Sequence, residues 1–321
     1  MKVKNLTRWM ALLATGFTAH AVLAQSAANY PERTVEVLVP YAAGGGVDAM
    51  ARTFATEAAR VTGQQWVTVN REGGGGVVGF NALVRAKPDG YTVAFSPASP
   101  MTNAPFVNSK IPFRNDEIEP VCQVFENVFA IAVRADSPIQ NLQDLIARAK
   151  AEPGKLSFGH AGPASVGHLS VAAVERSAGV KFNAIAYRGD APALADTLGA
   201  TLDFSALGVG TVAGQKLRVL AVLSAKRHPA FPDVPSVTES GYAASSQGLN
   251  GVYVPAGTPR PVVQRLEQIC RDVVASPAFV ERAKAQSQVT SYLDAQAFKT
   301  LIEKTYKDNA ALVPELKLEK N

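Results

Sequence analysis

Residues 30–52 read YPERTVEVLVPYAAGGGVDAMAR, a strand, a turn and a helix start in immediate succession. Val35, Val37 and Val39 alternate with Glu36 and Leu38, the period-two signature of a strand. Pro40 has no N–H to offer a ladder and stops it. Gly44, Gly45 and Gly46 follow, and Val47–Ala59 carries helical apolar spacing. A glycine turn leading into a helix leaves backbone N–H groups unpaired at the positive end of the helix dipole, which makes a cradle for an anion. Glycine serves there because its missing Cβ lets a ligand approach the main chain. A glycine triplet is equally compatible with a plain tight turn, so the loops elsewhere in the chain must decide.

Upstream of this stretch, Lys2, Lys4 and Arg8 precede the apolar run Met10–Phe17 and the small residues around Val22–Ala24. That is the pattern of a cleavable export signal covering residues 1–24. The run is too short to span a bilayer, so the mature chain is expected to be soluble and exported. The full chain of 321 residues carries a formal charge of +5, and loss of the three signal-peptide cations leaves +2. With no basic run, nucleic acid is excluded as a partner. Cys122 and Cys270 are the two cysteines. Cys270 lies on an apolar helix face with Leu266, Ile269 and Val273, which suits core packing. A disulfide is chemically permitted after export, but spacing does not establish that the two meet. Ligands for a metal site are not present at regular spacing.

Downstream, Trp66–Asn70 reads as a strand, Arg71–Gly76 as a second glycine turn, Val77–Ala86 as a helix and Tyr91–Phe95 as a third strand. Such a βαβαβ run predicts a parallel sheet with its loops, and any ligand, at the carboxyl edge. Phe129–Val133 is a continuous apolar strand, and Asn141–Ala151 is helical. A second α/β unit begins at Leu156, with Ser165 as N-cap of a helix through Ser177 and a further helix over Ala191–Leu198. Val219–Leu223 and Gly251–Val254 are strands, Thr258 and Pro259 read as N-cap and N1 of a long helix, and Ser276 and Asp294 start two more. The predicted architecture is two α/β lobes around a cleft: residues 25–133 with 251–321, and residues 134–250.

Several motifs in this order resemble the periplasmic substrate-binding proteins of tripartite tricarboxylate transporters, the Bug-type family. They are Tyr30-Pro31, Pro40–Asp48, Asn70–Gly76, Lys87–Thr92, the Gly159/Gly162/Ser165/His168/Leu169 set, Pro232–Ser236 and Pro255–Pro259. The resemblance covers nearly all of the mature chain. It implies a type II periplasmic-binding-protein fold that holds a small carboxylate through backbone amides and delivers it, as a monomer, to membrane permease subunits. It further implies a site built from Tyr41, Ala43, Gly44, Gly45, Gly46 and Asp48 in the first lobe. Ser96, Ala98 and Ser99 adjoin them, and His160, Ala161, Gly162, Ser165, Arg188 and Asp190 face them. Two departures stand out. Asp190 replaces a more usual glycine, and the segment between Asp203 and Lys216 is shorter by roughly five residues than this family's pattern.

Other chemistries fit less well. Gly74–Gly79 satisfies G-x-G-x-x-G, but the next strand ends at Ser96-Pro97 and not in the acid that would hold a ribose, so no dinucleotide or other cofactor is expected. Ser165 and His168 suggest a hydrolase, yet Pro163 stands where a nucleophile elbow needs glycine. Asp48 in an anion cradle is expected to fix the loop through backbone N–H groups and not to touch a carboxylate. The rival output is a ligand-loaded form read by a membrane sensor kinase. The chain is not expected to be an enzyme.

Overall fold

The computed structural model describes residues 29–243 and 248–316; the expected export signal lies outside them. Strand β1 (Val35–Val39) pairs in parallel with β2 (Trp66–Asn70) on one side and β3 (Thr92–Pro97) on the other. Its two faces are both covered. Val35, Val37 and Val39 pack with Met50 and Phe54 of α1 (Gly46–Thr62), whereas Leu38 packs with Phe80 and Leu83 of α2 (Val77–Val84). Burial on both faces is the normal state of a parallel strand and explains why Leu38 breaks the polar alternation.

Strand β4 (Ile118–Asn127) leads with one intervening residue, Val128, into β5 (Phe129–Arg134). A second unit follows: α3 (Leu142–Ala151), β6 (Ser157–His160), α4 (Val166–Ala178), β7 (Asn183–Ala186), α5 (Asp190–Leu198), β8 (Phe204–Gly208) and β9 (Leu217–Val222). The chain then returns through β10 (Gly248–Pro255), α6 (Arg260–Val274), α7 (Pro277–Ala285), β11 (Val289–Leu293) and α8 (Ala295–Glu315). The strands form two sheets, ordered β11-β4-β10-β3-β1-β2 and β7-β6-β8-β5-β9.

The sequence reading placed Phe129–Val133 in the first lobe, but β5 pairs antiparallel with β8 and β9 in the second sheet. Its apolar run suits that position, because residues 129–133 are all buried as an inner strand. The first crossing between sheets therefore falls at Val128. The return strand begins at Gly248, three residues before the expected Gly251, and is buried along its whole length.

Side-chain caps at three helix starts match the sequence. Ser165, Ser276 and Asp294 accept the backbone N–H of His168, Phe279 and Ala297. The long helix α6 departs from expectation: Pro259 is its N-cap, and the Thr258 hydroxyl bonds back to the Pro255 carbonyl at 2.8 Å. Pro261, which has no N–H to satisfy, occupies the first turn. Cys122 on β4 and Cys270 on α6 are joined as a disulfide, so the expected packing role is met by a covalent tie across the core of the first lobe.

Candidate functional site

The carboxyl edges of the two sheets face each other, and a pocket lies between them. At its first-lobe side, β1 delivers Pro40 and Tyr41 to the turn before α1. Gly44 takes φ +87°, a left-handed value that glycine adopts freely, and Gly45 is extended. Asp48 fixes this turn. Its Oδ2 accepts the Gly44 N–H at 3.0 Å and Arg52 Nε at 2.9 Å, while Oδ1 accepts Asn70 Nδ2 at 2.9 Å. Burial pushes the Asp48 carboxyl up, but the bonds from Arg52, Gly44 and Asn70 outweigh it and hold the group below its ordinary range.

The second lobe supplies the opposite wall. Ser165 caps α4, and α5 begins with Asp190, which is only 9% exposed. Asp190 Oδ2 accepts the Gly208 N–H at 2.9 Å and the Thr211 hydroxyl at 3.2 Å. Burial raises its carboxyl to about 6 against these two stabilising bonds. Thr211 sits on the single helical turn Val209–Val212, within the segment that is short relative to the resemblance. Its Oγ1 accepts the Gly46 N–H from the other lobe at 3.0 Å. The shortened segment therefore reaches the cleft directly.

The lobes are closed on one another. The Ala42 N–H donates to the Arg188 carbonyl at 2.9 Å, and Asn103 Nδ2 donates to the Ala164 carbonyl at 3.0 Å. Ala164 and Leu169 pack into the first-lobe cluster with Met101 and Ala104. Gly75 and Gly162 meet backbone to backbone: a Cβ on Gly75 would lie 2.1 Å from the Pro163 oxygen. The room left in the pocket is about 20 Å³, space for roughly one water.

Of the residues expected at the site, Tyr41, Gly45, Gly46, Asp48, Ser99, Ala161, Ser165 and Asp190 line this pocket together. The Tyr41 hydroxyl donates to the Gly75 carbonyl at 3.0 Å and lies 3.4 Å from Ser99 Oγ. The other expected residues stand back from the pocket. Ala43 and Gly44 are exposed on the outer side of the turn. Ser96 and Ala98 are turned into the first lobe, where the Ser96 hydroxyl bonds the Pro97 carbonyl and the Ala98 N–H bonds Leu249. His160 is buried against His168, the rings stacked 4.3 Å apart, and its Nδ1 is 2.9 Å from the Gly162 carbonyl. Gly162 supports the lobe contact with Gly75. Arg188 points outward, with its side chain 76% exposed and 3.6 Å from Glu72.

Sequence reasoning did not single out Ala42, Val47, Pro97, Asn127, Phe129 and Val166 among the lining residues. Asn127 ends β4, a strand buried almost throughout, so its only sequence signal was a polar residue next to the apolar run Phe129–Val133. Among the described residues, the lining contains no lysine or arginine. The helices α1, α4 and α5 instead bring their N-termini to it, through Gly46, Val166 and Asp190.

Comparison with known proteins bears on the family and the fold. Residues 50–318 match the profile described as Tripartite tricarboxylate transporter family receptor. A UPF0065 protein of Bordetella bronchiseptica is 34% identical over 87% of this chain and 84% of its own length. Among solved structures, the periplasmic binding protein BugD superposes with a TM-score of 0.86 at 32% identity, covering 91% of this chain and all of that one. An R. palustris protein solved with adipate shares the fold, with a TM-score of 0.85 at 24% identity over 89% of this chain and 98% of its own. The chain belongs to the tripartite tricarboxylate transporter receptor family, with the two-lobe periplasmic-binding-protein fold.

Proposed function

We propose that this protein is an exported receptor that captures a small carboxylate between its lobes and hands it, as a monomer, to the permease subunits of a tripartite tricarboxylate-type transporter. The observation that carries this reading is the convergence of α1 and α4 N-termini, from opposite lobes, on one pocket whose lining has no basic side chain. Oriented amide dipoles of this kind favour an anion without the desolvation cost of a buried cation. Donors come from both lobes, so a bound carboxylate stabilises the closed form over the open one. The closed pocket has room for about one water, so a ligand enters an open form and the lobes then close around it.

Hydrolysis does not fit the same residues. Ser165 Oγ accepts the His168 backbone N–H, and His168 Nδ1 accepts the Ala164 N–H. The serine thus serves as a cap, and one imidazole nitrogen is already committed. Burial, with the nearby Lys181 charge, lowers the His168 imidazole to about 4.

Gly45→Val tests the reading. Gly45 is extended, and a Cβ there meets nothing nearer than Asp190 Cβ at 3.7 Å, so the substitution fills the pocket and leaves the turn intact. Melting of residues 25–321 against mono-, di- and tricarboxylates should show a concentration-dependent rise for one class and none for Gly45→Val. An equal rise in the variant would place binding elsewhere.

A further inference from the structure

Two acceptor oxygens on pocket-lining residues have no donor among the described residues: Asp190 Oδ1 and Asn127 Oδ1, buried on residues 9% and 2% exposed. Both side chains line the pocket. The two side chains are neighbours beside Gly208: a Cβ there would lie 2.9 Å from Asn127 Oδ1 and Nδ2 and 3.2 Å from Asp190 Oδ2. Buried acceptors left unpaired are costly, and a buried carboxylate without a counter-cation more so. The groups that bear on the ionisation of Asp190 are its own burial, the Gly208 N–H and the Thr211 hydroxyl, all of them uncharged.

The other oxygen of Asp190 is equally informative. From the start of α5 it occupies the Gly208 N–H at the end of β8 and the Thr211 hydroxyl on the following turn, donors that would otherwise be open to an anion from the cleft. The chain's own carboxylate fills the anion position at this end of the pocket. A second ligand carboxylate placed here would meet a like charge at close range. Beside it, Gly45 and Ser165 bring the starts of α1 and α4 to the same pocket: a Cβ at Gly45 would lie 3.7 Å from Asp190 Cβ, and the Gly46 N–H is already held by Thr211.

We infer that the pocket is built for a zwitterionic amino acid, its carboxylate at the α1 and α4 N-termini and its ammonium between Asp190 Oδ1 and Asn127 Oδ1. This rests on the carboxylate-receptor reading above and narrows its ligand class. An ammonium supplies three donors and the missing positive charge.

Matched pairs differing only in the amino group test it: alanine against propionate and aspartate against succinate, titrated calorimetrically into residues 25–321 and into Asp190→Asn. The amino member of at least one pair should bind tenfold or more tightly than its partner. Asp190→Asn, which keeps an acceptor for Gly208, should bring that pair to within about threefold by weakening the amino acid. Equal or tighter binding of the amine-free member to the wild type overturns the inference and leaves the carboxylate receptor standing; this is also the result if a water alone serves Oδ1. A preference unchanged in Asp190→Asn likewise overturns it. Failure of every carboxylate, with or without an amine, to bind the folded protein overturns both readings.

Discussion

Closure of the lobes can be blocked at a single atom. In Gly75→Ala the new Cβ would stand 2.1 Å from the Pro163 oxygen, where ordinary contact begins at about 3.4 Å, so the facing loop must retreat by more than 1 Å. Around this contact the lobes are joined by the bonds from Ala42 to Arg188, from Gly46 to Thr211 and from Asn103 to Ala164. Bonds of this kind are worth about 1 kcal/mol each. Losing the three costs about 3 kcal/mol, or roughly a hundredfold in the closed-to-open ratio and hence in ligand affinity. Gly75 also has φ +64°, so alanine there carries a backbone penalty of about 1 kcal/mol that has nothing to do with closure. Gly179→Ala isolates that penalty, because Gly179 has the same φ of +64° and no atom within 4 Å of its Cβ position. Both variants should melt a few degrees lower. Only Gly75→Ala should lose affinity by calorimetry and show a larger radius of gyration by small-angle scattering. Wild-type affinity in Gly75→Ala would refute the closure argument.

Three further outcomes are expected. Reduction of Cys122–Cys270, or a double serine variant, should cost about 2–5 kcal/mol and lower the melting midpoint without changing ligand preference, because both cysteines lie in the first lobe. Burial lowers His160 to about 3, with His168 adding to the effect, and lowers His168 to about 4; protons thus bind the unfolded chain first. Stability should be full above about pH 6.5, fall as the pH drops toward 4, and fall less steeply in His168→Gln. Asp190 has the opposite sign: its folded value of about 6 lies above the unfolded one, so its ionisation destabilises the ligand-free protein as pH rises through that range. Asp190→Asn should therefore raise the ligand-free midpoint at pH 8 and leave it nearly unchanged at pH 4.

Much of the fold was legible because its signals are local. The strand Trp66–Asn70 has the bounds that its sequence suggested, and Ser165, Ser276 and Asp294 cap the helices that follow them. The strand β4 was missed: it carries Pro120, shows no alternation, and owes its place to pairing with β10 and β11, far along the chain. The crossing point was misplaced for a related reason. Phe129–Val133 reads as a buried strand in either lobe, and only its partners β8 and β9 assign it to the second. At the site, the glycine turn before α1 and the Ser165 cap could be found, since a turn chemistry and a cap are sequence properties. That Arg188 faces solvent while Asn127 faces the pocket depends on packing between lobes, which no local pattern encodes. The link between cysteines 148 residues apart is of the same kind.

The joint at Val128 has a consequence for how tightly such a site can hold its ligand. With β4 ending at Asn127 and β5 starting at Phe129, the two sheets share almost no slack. Once the turn before α1 has engaged a solute, the second set of contacts is an intramolecular event, and the joint fixes the local concentration at which it occurs. For short tethers that concentration is on the order of millimolar. A modest pair of half-sites, each made of amides and hydroxyls, can then act together as a strong one. In the receptor proposed above, avidity within a single chain would take the place of an arginine clamp.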